Sequence, residues 1–243
     1  MSHKNRFDFL KSTLAINLSD NKNSQDIIEF ILVDFDSDDD IKGWVIENFK
    51  DEIKSGYLKF YSSNELKEWD ASLAKNTSHY LASGTIVVNL DCDNYTGQHG
   101  GNFVLDTFLK NDKDIVLWQY SGKKLDGSFG RIACTKKAFN EVGGYDQEFL
   151  PMGFQDGDLR DRLKASGRQL VHDKNSNFNG AIKNEKYIPA NMTWKKMNEH
   201  NQKLSKDNIK NGKLMANDGI YGIRQNIYQL SPISLEMEPH QKH

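Results

Sequence analysis

The chain has 243 residues, 37% hydrophobic and 27% charged, with a formal charge of −2 at pH 7. That length suits one domain with an appendage, and the small net charge argues against a broad nucleic-acid-binding surface. Cys92 and Cys134 are the only cysteines and no signal peptide is evident, so both read as free thiols of a reducing, cytoplasmic compartment. No apolar run reaches the roughly 18–20 residues of a membrane span. Tripeptides beginning at Asn76, Asn94 and Asn191 match glycosylation acceptors and read as chance matches.

Phe7, Leu10, Leu14 and Leu18 recur at helical spacing and predict a helix over residues 7–18. Residues 27–33 form an apolar strand interrupted only by Glu29, which runs into the acidic stretch from Asp34 to Asp40. Trp44, Val45 and Phe49 predict a helix over 40–54, residues 58–61 a short strand, and Leu73, Ala74 and Leu81 a helix over 69–82. The β-branched run 86–88 is a buried strand ending near Asp91 and Asp93. A helix over 103–111, a strand over 115–120, a Gly- and Lys-containing loop over 122–130, a strand over 131–134 and a helix over 135–142 follow. After the turn Gly143-Gly144-Tyr145-Asp146 comes a helix over 156–166, stopped by Gly167, and a strand over 169–172. Beyond 173 Asn, Lys and Gly dominate. Thr193 caps a helix over 194–208, and the tail from Ser231 is predicted to be poorly ordered. Strands alternating with helices predict an α/β fold whose parallel sheet is covered on both faces. Residues 1–172 read as its core and 173–243 as a C-terminal extension.

Three clusters carry chemistry. In an extended chain residues i and i+2 face one side, so Asp91 and Asp93 converge beyond a strand's carboxyl end, where open α/β sheets bind ligands. Two hard oxygen ligands suit Mg²⁺ or Mn²⁺ holding a diphosphate, although Asp and Asn also make plain polar turns. Asp34 ends a buried strand, placed to accept a hydrogen bond from a base N–H, whereas Asp38 and Asp40 equally suit a solvated helix start. Asp156 and Asp158 open a helix behind a Gly-rich loop. Capping by Asp156 and an Asp158–Arg162 pair at i,i+4 form the structural alternative.

In order and spacing these stretches resemble the GT-A glycosyltransferases, in their family 2-like branch. Val33-Asp34-Phe35-Asp36-Ser37-Asp38-Asp39 is similar to that family's nucleotide-binding turn, and Lys75-Asn76 with Asp91-Cys92-Asp93 to its basic and Asp-x-Asp series. Gly143-Gly144-Tyr145-Asp146 through Gln155-Asp156-Gly157-Asp158-Leu159 resembles its Gly-Gly-Phe-Asp and Glu-Asp-x-Asp-Leu series. Residues 194–217 resemble the galactosyltransferase-type C-terminal regions of bacterial members. There are departures. The strand before Lys4-Asn5-Arg6 is absent or very short, Phe35 and Asp36 replace an Asp and a Gly, and Gln155 replaces a Glu. A third metal ligand is not evident, His172 and His200 being the nearest histidines.

The resemblance implies a GT-A, Rossmann-like, mostly parallel sheet flanked by helices, with a helical and irregular extension near the site. It implies a nucleotide-diphosphate sugar donor, UDP-sugar foremost, and a glycan or lipid-linked saccharide acceptor, with inversion, in bacterial surface polysaccharide synthesis. Arg6, Asp34, Asp36, Ser37, Lys75, Asn76 and Asp91 would hold the donor, and Asp91 and Asp93 the Mn²⁺ or Mg²⁺. Asp156 would be the base, and Trp118, Gly153, Phe154, Gln155 and Asp158 would meet the acceptor, with Trp118, Tyr120 and Phe154 stacking on sugar faces unless these aromatic residues are plain core. A lipid-linked acceptor would bring the protein to the inner face of a membrane. A binding or regulatory module that kept the fold and lost turnover is one alternative. A nucleotidyltransferase is another, but it calls for a Gly-rich phosphate loop, and residues 1–11 hold no glycine.

Overall fold

The apolar run after Glu29 forms a central strand, β2 (Phe30–Asp34), buried along its whole length. In this computed structural model, which describes residues 1–111, 114–124, 126–183 and 192–240, β2 runs parallel to both of its neighbours. These are β1 (Ser2–His3) and β3 (Leu58–Ser63). The first strand is therefore present but very short, pairing Ser2 with Val33 and His3 with Asp34. β2 begins at Phe30 rather than at residue 27 because the N–H groups of Ile27 and Ile28 turn back to the Ser24 carbonyl.

The two faces of β2 follow its pleat. Phe30 and Leu32 pack with Leu10, Leu14 and Leu18 of α1 (Phe7–Asn21) and with Val45, Phe49 and Ile53 of α2 (Ile41–Ser55). Ile31 and Val33 pack on the other side with Ala74 and Leu81 of α3 (Ala71–Leu81). Each buried Val, Leu, Ile or Phe side chain among these contributes about 1.5–3 kcal/mol. Asp40 caps α2, accepting the Gly43 N–H at 2.8 Å, and Gly56 ends it at φ +77°. Asp70 caps α3, accepting the Leu73 N–H at 2.8 Å.

β4 (Ile86–Val88) does not extend this sheet. It is the edge of a second one, ordered β4-β6-β5-β7, with β5 (Ile115–Trp118), β6 (Ile132–Thr135) and β7 (Gln169–His172). β6 runs antiparallel to β4 and β5, whereas β5 and β7 are parallel. Again the pleat divides the core. Ile115 and Leu117 meet Val104 and Phe108 of α4 (Gly100–Lys110). Val116 meets Ala138 and Phe139 of α5 (Lys136–Glu141) and Leu159 and Leu163 of α6 (Gln155–Ala165). Cys92 and Cys134 are both buried free thiols.

The C-terminal region adds α7 (Trp194–Lys210), capped by Thr193, and two strands, β8 (Ile227–Leu230) and β9 (Met237–Pro239). β8 lies antiparallel to β3 and β9 antiparallel to β8, so the first sheet reads β1-β2-β3-β8-β9. The stretch from Ser231, expected to be poorly ordered, carries β9. Its order comes from pairing on β8, which a three-residue strand of Met, Glu and Pro does not advertise. Asn191 and residues 241–243 lie outside the described residues. The architecture is the expected α/β class, parallel where β1, β2 and β3 meet.

Candidate active site

Strand β4 ends at Val88, and the chain then turns. Asn89 still bonds to β6 through the Ile132 carbonyl, and its side chain donates to the Gly130 carbonyl (3.0 Å) and to Asp91 (3.2 Å). Asp91 and Asp93 lie on a turn closed by the Asn94 N–H to the Asp91 carbonyl at 3.0 Å, not on an extended strand. Both nevertheless line one cavity of about 660 Å³. Arg131, 2% exposed, braces that turn by donating to the Asn94 side chain (2.9 Å) and to the carbonyls of Tyr95, Phe178 and Gly180. Burial lowers its pKa to about 10, so it stays charged at neutral pH. The Ile182 N–H completes the brace at the Asp93 carbonyl, 2.7 Å away.

Lys75 enters the same cavity from α3, and its Nζ lies 2.7 Å from Asp156 and 3.4 Å from Asp91. Burial alone would lower the Lys75 pKa; the carboxylates of Asp156 and Asp91 outweigh it and raise the value. Burial likewise pushes Asp91 upward, but Lys75, the Asn89 amide and Arg131 together hold it below the usual carboxylate value. Asp156 stands in the first turn of α6, just after Gly153 and Phe154, both at positive φ (+96° and +67°). A non-glycine residue held in such a conformation stores on the order of 1–3 kcal/mol. A Cβ at Gly130 would sit 3.0 Å from Asp91 Oδ2 and 3.1 Å from Asp156 Oδ2, so the two carboxylates flank this glycine closely. Arg6 pairs with Asp93 at 3.4 Å and lies over the Phe9 ring. One wall is thus charged. Aromatic side chains also line the cavity, namely Trp69, Tyr120, Phe129, Phe154 and Trp194.

The cavity brings together Arg6, Lys75, Asp91, Asp93, Gly153, Phe154, Gln155 and Asp156 from among the residues singled out in the sequence. The others lie elsewhere. Asp158 is fully buried and paired with Arg162 at 2.6 Å, as the structural alternative held. Asn76 is fully buried too, donating to the Tyr145 carbonyl and to Gln147 and accepting the Tyr145 N–H, each at 2.8 Å. It ties the Gly143-Gly144 turn to α3. Asp34 accepts the Ser37 hydroxyl (2.6 Å) and pairs with the buried His3 (3.0 Å), while Asp36 is exposed at φ +59°. None of Asp34, Asp36 and Ser37 lines this cavity. Trp118 stacks on Tyr120 (4.8 Å) and His172 (4.5 Å), and Tyr120 and Phe129 reach the cavity in its place.

Sequence reasoning missed Ser2, Lys4, Trp69, Met152, Trp194 and Asn198 on the wall. Only the resemblance of residues 194–217, an extension expected near the site, pointed toward Trp194 and Asn198. Among the described residues, no three His, Cys, Asp or Glu side chains form a metal cage. His172 bonds to the Tyr120 carbonyl at 2.8 Å, and neither it nor His200 lines the cavity. Asp91 and Asp93 are two carboxylates beside Lys75 and Arg6. That set fits a Mg²⁺ or Mn²⁺ ion that takes its remaining ligands from water and substrate phosphates.

No protein-family model matches the chain, and no curated protein matches it. Solved structures do. The mannosyltransferase PcManGT from Pyrobaculum calidifontis, in complex with GDP-Man and Mn²⁺, matches with a TM-score of 0.56 and 16% identity, over 71% of this chain and 53% of that one. S. aureus TarS 1-349 in complex with UDP-GlcNAc matches with a TM-score of 0.58 and 14% identity, over 76% and 57%. The fold is GT-A-like. A further TarS structure agrees, with a TM-score of 0.60 and 13% identity over 74% of this chain and 35% of that one. The chain spans little more than half the length of the first two. At these identities the GT-A-like glycosyltransferase fold is what the likeness establishes.

Proposed function

We propose that the chain is a glycosyltransferase domain that moves a sugar from a nucleotide-diphosphate sugar to an acceptor hydroxyl. One observation carries this reading: in a GT-A-like fold, a single cavity gathers Asp91 and Asp93 beyond β4, Lys75 from α3 and Asp156 at the start of α6. The bound nucleotide sugars and Mn²⁺ of the neighbours support a UDP- or GDP-sugar donor and a divalent ion. Asp91 and Asp93 would hold that ion, which supplies Lewis-acid stabilisation of the departing diphosphate. Lys75 and Arg6 add positive charge on the same wall. Asp156 takes the proton of the acceptor hydroxyl as it attacks the anomeric carbon and the bond to the diphosphate breaks, a single displacement with inversion. A carboxylate base of this kind contributes about 10²–10⁴-fold. The aromatic lining suits a sugar face, so a glycan or a lipid-linked saccharide is the acceptor proposed. Among the described residues no helix is long and apolar enough to cross a membrane.

The Lys75–Asp156 contact of 2.7 Å favours a second reading, in which the base is held too tightly and the domain binds a donor without turning it over. Nucleoside-diphosphate release from a panel of UDP- and GDP-sugars with Mn²⁺ separates the two. Turnover in the wild type, reduced at least a hundredfold by Asp156→Asn, is the expected outcome. Equal turnover in the variant contradicts the base assignment. Donor binding without release in the wild type establishes the second reading.

A further inference from the structure

We propose that Asn201, on α7, is the positioning residue that holds the loop 150–154 and thereby sets Asp156 in place; its catalytic consequence rests on the glycosyltransferase reading. Asn201 is fully buried. Its amide nitrogen donates to the carbonyls of Gly153 (2.7 Å), Leu150 (3.0 Å) and Met152 (3.4 Å), and its oxygen accepts the Leu150 N–H at 2.9 Å. The remaining carbonyl of that run, Pro151, accepts the Ala71 N–H at 3.0 Å. One side chain therefore supplies most of the polar partners of an irregular segment that forms no ladder of its own. A side-chain amide suits this, because it offers donors and an acceptor side by side.

The loop needs such a clamp. Gly153 lies so close to α7 that a Cβ there would be 2.8 Å from Asn198 Cβ and 2.9 Å from its Cα. Phe154 is held at φ +67°, a conformation that persists only when its surroundings over-determine it. The Phe154 carbonyl accepts the Asp158 N–H at 2.9 Å and so begins α6, and Gln155 returns its side-chain amide to the Leu150 carbonyl at 3.1 Å. Asp156 comes next, 2.7 Å from Lys75. Slack in 150–154 passes directly into the turn that carries Asp156, and Met152, Gly153 and Phe154 are themselves cavity wall. The C-terminal extension thus supplies the fixed point for the candidate base.

Asn201→Ala, Asn201→Asp and Ser205→Ala test this, with UDP-GlcNAc and GDP-Man plus Mn²⁺ as probes. Asn201→Asp keeps the shape and the oxygen facing the Leu150 N–H but turns an oxygen toward three carbonyls. Ser205, buried on the same helix with no hydrogen-bond partner for its hydroxyl among the described residues, controls for general loosening of α7. Hydrogen exchange of peptides covering 148–156 is expected to rise about tenfold or more in both Asn201 variants, with peptides covering the Asp91 turn unchanged. The kcat for nucleoside-diphosphate release is expected to fall about tenfold or more, lowest in Asn201→Asp, with the donor KM within about twofold and Ser205→Ala like the wild type. Wild-type exchange in Asn201→Ala, faster exchange with unchanged kcat, or an equal loss in Ser205→Ala overturns the proposal. If the wild type releases no nucleoside diphosphate from any donor, the glycosyltransferase reading fails and loop exchange alone decides the clamp. Should neither Asn201 variant fold, the wild-type Leu150 amide decides: protection supports the clamp, and free exchange overturns it.

Discussion

Gly130→Ala probes the gap between Asp91 and Asp156 without replacing either carboxylate. The new Cβ would stand 3.0 Å from Asp91 Oδ2, 3.1 Å from Asp156 Oδ2 and 3.3 Å from Asp156 Cγ, so the carboxylates must yield by a few tenths of an ångström. Gly130 does not use a left-handed φ, so alanine fits the backbone there. Its reduced unfolded-state entropy, worth about 0.4–1 kcal/mol, offsets much of the tight contact. The unfolding midpoint should therefore stay within about 3 °C of the wild type. Function should not. A 1 Å misplacement at a reacting centre costs up to about 10²-fold, so a few tenths predicts roughly tenfold less turnover. The assay is nucleoside-diphosphate release beside a thermal melt. Wild-type turnover in a stable Gly130→Ala protein would refute the placement of the reacting centre between these two carboxylates.

Other expectations follow from buried charges. Arg162→Met leaves Asp158 buried without its cation and takes a donor from the Gly144 carbonyl and from the Val142 carbonyl, which keeps the Ala216 N–H, so a loss of about 3–5 kcal/mol in denaturant unfolding is expected; a loss under about 1 kcal/mol would contradict the buried pair's role. Burial pushes the His79 imidazole from 6.5 down to about 3, with its Nδ1 at 2.8 Å from the Lys75 carbonyl. The unfolded chain then binds the proton first, so stability falls as pH drops from about 6.5 toward about 3, by roughly 4–5 kcal/mol in all. His79→Gln should flatten that slope in pH-dependent unfolding, and an unchanged slope would assign it elsewhere. Lys75→Met removes the cation that holds Asp91 below its usual value. That pairing stabilises above the ordinary carboxylate pKa and is lost as pH falls through the depressed folded value. The stability gap to the wild type should therefore be full at pH 7 and close toward acid; a gap independent of pH would count against the pairing.

Much of the framework was legible because local signals agreed with the fold. The pleat of residues 30–33, the Leu10, Leu14 and Leu18 stripe and the Asp40 cap each encode their surroundings. The carboxylates at 91 and 93 stood out because they follow a buried strand's carboxyl end, where open α/β sheets bind ligands, and Asp156 because it opens a helix behind a Gly-rich loop. What stayed hidden depends on tertiary pairing. β4 looks like a strand of a parallel sheet, and only β6 determines that it is antiparallel and lies in a second sheet. Asn76 and Asp158 sit among site residues in sequence, yet they turn inward to satisfy the backbone of 143–147 and the Arg162 guanidinium. Asn201 carried no signal, since an asparagine on a polar helix looks solvated until its partners are in place.

The central claim is that Asp91 and Asp93 hold a metal-linked nucleotide sugar. The most direct measurement is the unfolding midpoint with a panel of UDP- and GDP-sugars, with and without Mn²⁺, on the wild type and on Asp93→Ala. At a hundredfold excess over Kd, binding adds about 2.7 kcal/mol, a shift of about 5–10 °C for a chain of this size. A shift of that order with one nucleotide class, needing both Mn²⁺ and Asp93, is predicted. No shift with any donor, or the same shift without Mn²⁺ or in Asp93→Ala, would contradict the account.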